Sequence, residues 1–427
     1  MTIEQLYSIY RQYPSAQTDT RKLKQGDIFF ALKGNNFNGN LFAQQALQQG
    51  AAYAVIDEPQ GNNPKFILVN NVLATLQQLA KYHRQQFTIP FIAITGSNGK
   101  TTTKELVNSV LLSQYQTYTT QGNLNNHIGI PLTILSVKNN AQFAVIEMGA
   151  NHLHEIENYC QWILPTHGII TNCGKAHLEG FGSEENIKKA KGELYDSLQK
   201  HAGTAFAFDD YNYLHEMSKG IHEIIWYGSK QGFLCGEVKQ NEPYLQINIT
   251  KGANFNLVKT QLVGSYNLPN VLCAIAVGKY FKVDDEKIKQ AIEQYVPSNS
   301  RSQMLVKQNN HFILDAYNAN PTSMQLAIEN FTQLKTGKKI LVLGAMAELG
   351  NESLHEHEQL INLIEQYNWT DVILVGGDFE KIKHHYHYFS NPVDAGKWLH
   401  SKDFRDCYFL IKGSRSMQME KVMDNYS

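Results

Sequence analysis

The feature that most constrains this chain is the stretch FIAITGSNGKTTTKELVNSVL at residues 91–111. An apolar run typical of a strand leads into a turn that contains Gly96 and Gly99, and a helical pattern begins near Lys100. In such a turn, consecutive backbone N–H groups can point at one anion, and the following helix adds the positive end of its dipole. The stretch therefore predicts a phosphate-binding loop between a strand and a helix.

The side chains of this loop indicate that the phosphates are those of ATP. Lys100 can reach the β- and γ-phosphates, and the Thr101 hydroxyl can bind Mg²⁺. The usual pattern, G-x-x-x-x-G-K-[ST], has Ile94 at its first glycine position here, so a glycine-rich turn without a nucleotide is the alternative. Because strand, glycine, lysine, threonine and helix occur in order, we predict ATP binding by Gly96, Ser97, Asn98, Gly99, Lys100, Thr101 and Thr102.

Strand and helix patterns alternate along all 427 residues, which are too many for one typical core. Residues 1–87 predict a small α/β module, and residues 88–299 predict a doubly wound parallel sheet with an added antiparallel element near PYLQINIT. Residues 300–427 predict a second doubly wound, Rossmann-like sheet. We therefore predict an α/β protein of three domains, with functional residues at the carboxyl ends of the parallel strands.

Charge and cysteine content exclude several classes of protein. A formal net charge of -1 leaves no basic surface for nucleic acid or an anionic membrane. The five cysteines are scattered and form no C-x-x-C, which is typical of reduced thiols. No signal segment and no apolar run of about 18 residues occurs. We expect a soluble cytoplasmic protein without nucleic-acid partners or membrane insertion.

Three further residues follow other strands. Glu147 ends the strand VIEMG, where a carboxylate could hold Mg²⁺ between phosphate oxygens. His177 lies just beyond another strand end, and Lys191 follows it in a helix. From their spacing alone, His177 reads as a structural residue and Lys191 as a solvated one. The histidine clusters HEHE (355–358) and HHYH (384–387) lack zinc spacing and are predicted to lie at the surface.

Blocks distributed over nearly the whole chain resemble the Mur ligase family. They are TGSNGKTTTKE, GNLNNHIGIPLT, EMGAN, AHLEGFGS, AKGE, GSYNLPN, DAYNANPTSM and LIKGSRSMQMEKV, and TDTRKLKQGDIFFALKG fits the family's nucleotide-sugar domain. DAYNANP and AHLEGFGS are specific to one member. The resemblance implies an ATP-dependent ligase that adds D-alanyl-D-alanine to UDP-N-acetylmuramoyl-tripeptide, forming a precursor of peptidoglycan through an acyl phosphate and a tetrahedral intermediate.

The same resemblance implies roles around ATP and two Mg²⁺ ions. Lys100, Glu147, His177 and Lys191 would be catalytic. Thr101 and Glu147 would bind one ion, and His177 a second ion that Lys191 helps to position as a carbamate. Carbamate formation requires a neutral amine, hence a depressed pKa. Asn270 matches the position that contacts adenine, and the third domain would contribute Arg301 toward phosphate and Asp315 toward ribose.

Substrate contacts are also implied by the resemblance. The muropeptide would contact Thr20, Arg21 and Gly34 from the first domain and Asn125, Asn126 and His127 from the second. The dipeptide would contact Asn318, Asn320, Lys412, Ser414 and Arg415, where a strand end and a helix start suit a carboxylate.

Departures from the family pattern and competing interpretations remain. Tyr266 stands where a histidine is common, Ala345 where an aspartate is common, and FNGN replaces the usual Asp-Gly-His at 38–40.

Another Mur-type ligase or a folate-glutamate ligase is the alternative enzyme, and an ATP-binding protein without ligation is the alternative class. The sequence leaves open whether diaminopimelate or lysine is the third peptide residue. Three mobile domains around one site suit a monomer.

Overall fold

The structure is a computed structural model that describes residues 1–298 and 300–424. Residue 299, at which a predicted domain boundary falls, and residues 425–427 lie outside the described part. Within that part the larger sheets have four, nine and six strands and follow one another along the chain. No helix in the described ranges is long and apolar enough to cross a membrane.

The first sheet is parallel, in the order β1-β2-β5-β6, with β3 and β4 forming a separate antiparallel pair. Its central strands β2 and β5 bury nearly all their side chains, whereas the edge strands β1 and β6 are partly exposed. The elements are α1 (Ile3–Gln12), β1 (Ala16–Gln17), β2 (Ile28–Phe30), β3 (Lys33–Gly34), β4 (Phe37–Asn38), α2 (Ala43–Gln48), β5 (Tyr53–Ile56), β6 (Phe66–Leu68) and α3 (Val72–Arg84).

The second sheet has the order β15-β14-β13-β12-β11-β10-β7-β9-β8, and its strands pair in parallel except for β14, which is antiparallel to both β13 and β15. Its elements are β7 (Phe91–Thr95), α4 (Lys100–Leu112), β8 (Thr117–Thr119), α5 (Gly129–Leu135), β9 (Phe143–Glu147), α6 (Glu155–Ile163), β10 (His167–Ile170), α7 (Leu178–Phe181), α8 (Glu184–Lys200), β11 (Thr204–Phe208), α9 (Asn212–Met217), β12 (Glu223–Gly228), β13 (Leu234–Gln240), β14 (Gln246–Lys251), β15 (Leu257–Lys259), α10 (Leu268–Tyr280) and α11 (Asp285–Glu293).

The third sheet has the order β16-β17-β21-β18-β19-β20, and only the edge strand β16 is antiparallel. Its elements are β16 (Gln303–Lys307), β17 (Asn310–Asp315), α12 (Pro321–Thr332), β18 (Lys339–Gly344), α13 (Ser353–Ile364), β19 (Asp371–Val375), β20 (His387–Phe389), α14 (Pro392–Ser401) and β21 (Tyr408–Lys412). The predicted α/β class, with three domains built on mainly parallel sheets and an antiparallel addition near β14, is confirmed.

Two local predictions are wrong. The apolar segment DIFFALKG (27–34) has the pattern of a single strand, but β2 ends at Phe30 and the chain turns into the hairpin that begins at Lys33. His357 of the HEHE cluster is buried rather than exposed, and its ring accepts a hydrogen bond from the Met346 N–H while Nδ1 lies 2.7 Å from the Ser353 carbonyl oxygen. The neighbouring Glu356 is buried as well, whereas His355 and Glu358 are exposed, so only the middle two residues of this cluster face the interior.

Helix α3 fastens the first domain to the second. The guanidinium of Arg84, buried at its end, donates through Nε to the Ile163 carbonyl at 2.7 Å and through Nη2 to the Leu164 carbonyl at 2.9 Å. Burial lowers the pKa of Arg84 to about 10. The His83 ring lies 2.8 Å from the Val137 carbonyl oxygen. These contacts tie the last turn of the helix to the ends of α5 and α6 in the second domain.

Candidate functional site

Three adjacent strands of the second sheet end in register and bring the predicted residues together. In the order β10-β7-β9, Ile170 pairs with Thr95, and Ile94 pairs with Glu147. Parallel strands direct their following loops to the same edge of the sheet. At this edge lies a cavity of about 640 Å³, with walls from the second and third domains.

The phosphate loop forms one wall of this cavity. Gly96 has φ +146° and a Cβ there would lie 2.0 Å from the Thr171 hydroxyl, so a glycine is required. Gly99 has φ +78° and precedes α4 without any side-chain cap, which leaves the first N–H groups of the helix available. The Lys100 ammonium donates to the carbonyl oxygens of Gly96 at 2.6 Å and Ser97 at 3.2 Å. The loop therefore presents a cation and free donors to the cavity.

Glu147 reaches the cavity from the end of β9 with one oxygen held and the other free. Its Oε1 accepts from the Asn125 amide at 2.8 Å, whereas the buried Oε2 has no hydrogen-bond partner. A buried, unpartnered carboxylate oxygen is costly unless a cation or donor meets it. Among the described residues no three His, Cys, Asp or Glu side chains cluster as metal ligands. Mg²⁺ commonly uses one or two carboxylates with phosphate oxygens and water, so Glu147 and Thr101 fit that ion.

His177 and the third domain meet at the cavity. His177 immediately precedes α7 and has φ +54°, and its Nδ1 lies 2.5 Å from Oε2 of Glu348, which follows β18. The close contact with His177, aided by the nearby Lys100 charge, holds the pKa of the Glu348 carboxyl below its usual range. His177 therefore contacts a carboxylate that the sequence patterns did not single out.

Lys191 lies behind the cavity wall and is buried rather than solvated. Its amine lies 3.3 Å from the Ala150 carbonyl oxygen and 5.1 Å from the centre of the Phe181 ring. Burial, with a smaller contribution from the Lys100 charge, lowers the pKa of Lys191 to about 7. Lys100 itself has a lowered pKa because it is desolvated and faces Arg301. A pKa in this range leaves a large share of the Lys191 amine uncharged at neutral pH, which the reading from spacing alone missed.

The turn before α10 forms the next part of the cavity. Asn270 accepts from the Thr103 hydroxyl at 3.0 Å and donates to Asn267 at 2.9 Å, and a Cβ on Gly99 would lie 2.7 Å from its Oδ1. Asn270 therefore braces the phosphate loop. The Tyr266 hydroxyl, standing where the family pattern has histidine, lies 3.2 Å from the Ser302 hydroxyl and closes the space between the two domains.

Helix α12 crosses the cavity from the phosphate loop to its far end. At its start the Asn320 amide donates to the Asn98 side chain at 2.8 Å. Ten residues later Asn330 accepts from the Ser265 N–H at 3.1 Å and from the Asn241 amide at 2.5 Å. That separation corresponds to roughly 15 Å of helix. The spacing of the cavity-lining residues Ser323, Leu326, Glu329, Asn330 and Gln333 places them along one helix face, a signal in the sequence that we did not use.

The third domain adds charged groups near the start of α12. The Arg301 guanidinium lies 3.5 Å from the centre of the Tyr317 ring. Asp315 accepts from the Ser302 N–H at 3.1 Å and lies 2.5 Å from the Lys412 amine, which also donates to the Asn318 carbonyl at 3.3 Å. Arg301, Asp315, Asn318, Asn320 and Lys412 all line the cavity, as do Asn125 and Asn126 from the second domain.

Other predicted residues do not line this cavity. Arg21 pairs with Asp19 at the surface of the first domain, and Arg415 pairs with Glu420 at 2.8 Å. The His127 carbonyl accepts from the Gln77 side chain at 3.1 Å. Ser414 is buried with its hydroxyl 3.1 Å from that of Ser416. Outside the lining are Thr20, Arg21, Gly34, Gly96, His127, Lys191, Ser414 and Arg415.

Comparisons with known proteins point to one family over nearly the whole chain. Three family models match: "Mur ligase family, catalytic domain" at residues 15–86, "Mur ligase middle domain" at 94–278 and "Mur ligase, glutamate ligase domain" at 300–415. The UDP-N-acetylmuramoyl-tripeptide--D-alanyl-D-alanine ligase of Bacillus subtilis is 34% identical over 420 residues, covering 95% of this chain and 91% of the relative.

Solved structures agree in fold and in length. MurF from Acinetobacter baumannii superposes with a TM-score of 0.89 at 30% identity, covering 100% of this chain and 98% of the other. MurF ligase from Thermotoga maritima in complex with ADP has a TM-score of 0.86 at 26% identity, covering 96% of each chain.

The buried Lys191 predicts a distinctive dependence of stability on pH. Its folded pKa of about 7 lies below the unfolded value of 10.5, so the folded protein binds fewer protons between these limits. The destabilisation is complete below pH 7 and fades as the pH rises toward 10.5. In CO₂-free buffer, Lys191→Met should therefore be more stable than the wild type at pH 6, by a margin that shrinks toward pH 10, as measured by urea unfolding.

The exposed Lys189 on the same helix provides the control. Lys189→Met should differ from the wild type by an amount that stays the same at pH 6 and pH 10. A margin for Lys191→Met that is equally independent of pH would contradict the lowered pKa of Lys191.

Proposed function

The chain belongs to the Mur ligase family, and on that premise we propose that it joins D-alanyl-D-alanine to UDP-N-acetylmuramoyl-tripeptide with ATP. The observation that carries the reaction type is one cavity in which a phosphate loop, the free oxygen of Glu147 and cationic side chains of the third domain face one another. The substrates are those named for relatives that match nearly the whole chain. The product is the UDP-N-acetylmuramoyl-pentapeptide precursor of peptidoglycan.

The first chemical step forms an acyl phosphate. A peptide carboxylate oxygen attacks the γ-phosphorus of ATP, the bond to the β–γ bridging oxygen breaks, and ADP leaves. Two anions must approach each other, so this chain has to supply positive charge. Lys100 and the free N–H groups at the start of α4 would hold the γ-phosphate, and Arg301 would approach it from the third domain.

The groups for Mg²⁺ are present in the same wall. Thr101, Glu147 and His177 would hold two ions together with phosphate oxygens, and a carbamate on Lys191 would complete the set. Bound Mg²⁺ would neutralise phosphate charge and help to orient the carboxylate. The neutral Lys191 amine can take up CO₂, losing a proton and becoming an anionic group. That change places an anion beside the cation Lys100, and the attraction between the two offsets part of the cost of burying them.

The second step forms the amide. The free amine of the dipeptide attacks the acyl carbon, a tetrahedral intermediate forms, and phosphate leaves as the C–N bond is completed. We propose that Asn318, Asn320 and Lys412 position the dipeptide, aided by Ser414 and Arg415 in the loop after β21. Holding both reactants in place can supply an effective molarity of about 10⁵ M or more.

The two ends of α12 suggest how ATP is oriented. Its start faces the phosphate loop through Asn320, and Asn330 lies at the other end, beside Ser265. The backbone N–H of Ser265 can only donate, so the side-chain amide of Asn330 must turn its oxygen, Oδ1, toward Ser265. The amide nitrogen of Asn330 is then left to donate to an acceptor atom of the base. Asn270 would support the base from the second domain, and Asp315 would contact the ribose.

The three domains divide the remaining tasks. We propose that residues 1–87 bind the UDP-sugar through Thr20, Arg21 and Gly34, that residues 88–299 bind ATP, and that residues 300–427 bind the dipeptide. Asn125, Asn126 and His127 would face the muropeptide from the second domain. We further propose a cytoplasmic monomer, since ATP is available there and all five cysteines are buried and unpaired.

The direct test measures phosphate release with ATP, Mg²⁺ and UDP-N-acetylmuramoyl-tripeptide, with and without D-alanyl-D-alanine. Release should depend on the dipeptide, and mass spectrometry should find the pentapeptide product. Lys100→Met should reduce the rate about 10²- to 10³-fold, because it removes a charge that stabilises the transition state. Release that ignores the dipeptide, without an adduct, would refute the substrate assignment; activity with another amino acid would favour a different Mur-type ligase.

A second prediction concerns the far end of α12. Asn330→Ala should raise the KM for ATP about tenfold, the equivalent of one lost hydrogen bond. The kcat should change little, because the base is distant from the reacting bond. Steady-state kinetics with ATP as the varied substrate measures both constants.

Asn310 offers a matched control in the same domain. It is also buried, donates to the Phe404 carbonyl at 2.8 Å and accepts from the Cys407 N–H at 2.9 Å, and it does not line the cavity. Asn310→Ala should lower stability yet leave the KM for ATP unchanged. An equal rise in KM for both variants would show that the effect of Asn330 is a general loss of stability.

A further inference from the structure

Asn172 engages the backbone of two residues in the phosphate loop. The Ser97 N–H donates to the Asn172 carbonyl at 2.9 Å, and the Asn98 N–H donates to Oδ1 of Asn172 at 3.0 Å. The Asn98 carbonyl in turn accepts from the Asn172 amide at 3.0 Å and from the Thr171 hydroxyl at 2.6 Å. Because both N–H groups are already bonded, Asn98 can offer a donor to a phosphate only through its side chain.

The third domain determines which way the Asn98 side chain is turned. Asn320 caps the start of α12, where its Oδ1 accepts from the Ser323 N–H at 2.9 Å. Because this cap occupies Oδ1, the Asn320 amide meets Asn98 with its nitrogen, which donates to Asn98 Oδ1 at 2.8 Å. The cap of one domain thereby fixes the orientation of an amide in the phosphate loop of another.

The Asn98 amide is left with one unpaired group. Its nitrogen, Nδ2, is buried and has no acceptor among the residues that the structure describes. A buried donor without an acceptor is unfavourable, and a bound oxygen atom would remove that penalty. Asn98 lines the cavity beside Lys100, in the wall where the proposed function places the triphosphate of ATP. The acceptor inferred for Nδ2 thus rests on the proposed function.

We propose that Nδ2 of Asn98 donates to an oxygen of the γ-phosphate of ATP, and that Asn320 is the positioning residue that orients the amide for this contact. The γ-phosphate is assigned because Asn98 faces the start of α12. The dipeptide is proposed to lie against Asn318 and Lys412, close to Asn320. The acyl carbon, and with it the γ-phosphate, must therefore lie on the side of the loop that meets the third domain.

This arrangement makes the phosphate loop complete only when the third domain is docked. With α12 in place, the Asn98 amide presents a donor to the charge on the transferred group, which stabilises the transition state. Without Asn320 as its partner, the amide could present its oxygen as readily as its nitrogen, and an oxygen can only accept. Docking of the third domain would thus be coupled to phosphoryl transfer through the orientation of one amide.

The first test compares two nucleotides that differ in the γ-phosphate, and it needs no peptide substrate. Isothermal titration calorimetry with Mg²⁺ measures the Kd of ADP and of the non-hydrolysable ATP analogue AMP-PNP. Asn98→Ala should raise the Kd of AMP-PNP about 10- to 100-fold, the usual effect of losing a hydrogen bond to a charged group, and that of ADP less than about threefold. A distorted loop would weaken both nucleotides alike, because both carry the α- and β-phosphates that such a loop cradles.

The role of Asn320 is tested by a substitution that keeps the helix cap. Asn320→Ser retains an oxygen for the Ser323 N–H, but its shorter side chain cannot reach Asn98. Binding of AMP-PNP must then order the released Asn98 amide, so its Kd should rise about 3- to 10-fold while that of ADP stays unchanged. In the Asn98→Ala background the same substitution should change neither Kd, because the group that Asn320 positions is gone.

Thr322→Val is the matched control at the same end of α12. The Thr322 hydroxyl accepts from the Lys175 N–H at 2.9 Å, a contact between the same two domains that is separate from the one at Asn98. Thr322→Val should leave the ratio of the two Kd values within about threefold of the wild-type ratio. Circular dichroism and thermal melting verify that each variant is folded.

Three results would overturn the proposal. They are an equal rise of both Kd values in Asn98→Ala, no rise of either, or an effect of Asn320→Ser that is the same with and without Asn98. If Asn98→Ala does not fold, Asn320→Ser alone decides, because it must weaken AMP-PNP more than ADP. A protein that shows the expected differences but lacks ligase activity would refute the proposed function alone, since the titrations require no turnover.

Discussion

The site depends on the side-by-side arrangement of β10, β7 and β9 in the nine-stranded sheet. Because these strands are parallel and end in register, the phosphate loop, Glu147 and the His177 loop must leave the sheet at one edge. Their side chains are almost entirely buried, so the strands cannot shift register without exposing apolar surface. The hydrophobic core thereby fixes the positions of the polar groups.

The second constraint is electrostatic. The charge of Lys100 disfavours that of Lys191, the charge of Arg301 disfavours that of Lys100, and both lysines are removed from water. Anions bound in the cavity would offset the repulsion between these positive charges, so the folded chain can tolerate it. Glu147 and Glu348 supply negative charge from two sides, one from each of two domains. A site that assembles charges from separate domains is complete only when those domains meet.

Local sequence patterns were sufficient to predict much of this site. The phosphate loop, the strand before it and Glu147 could be predicted because glycine spacing and apolar runs are local features. The resemblance to Mur ligases, rather than spacing, singled out Lys191, whose burial depends on the packing of α8 against the sheet. Glu348 was missed although GAMAELG was inspected for Ala345, since its partner His177 lies in another domain. Asn330 was missed because its neighbour Ser265 is 65 residues away.

The central claim is that the cavity brings a peptide carboxylate to the γ-phosphate of ATP. It is tested most directly with UDP-N-acetylmuramoyl-tripeptide labelled with ¹⁸O in the reacting carboxylate. If an acyl phosphate forms, the attacking oxygen stays with phosphorus when the amine displaces it, so mass spectrometry should find one ¹⁸O in each released phosphate. Phosphate without the label, formed alongside the amide product, would contradict the account.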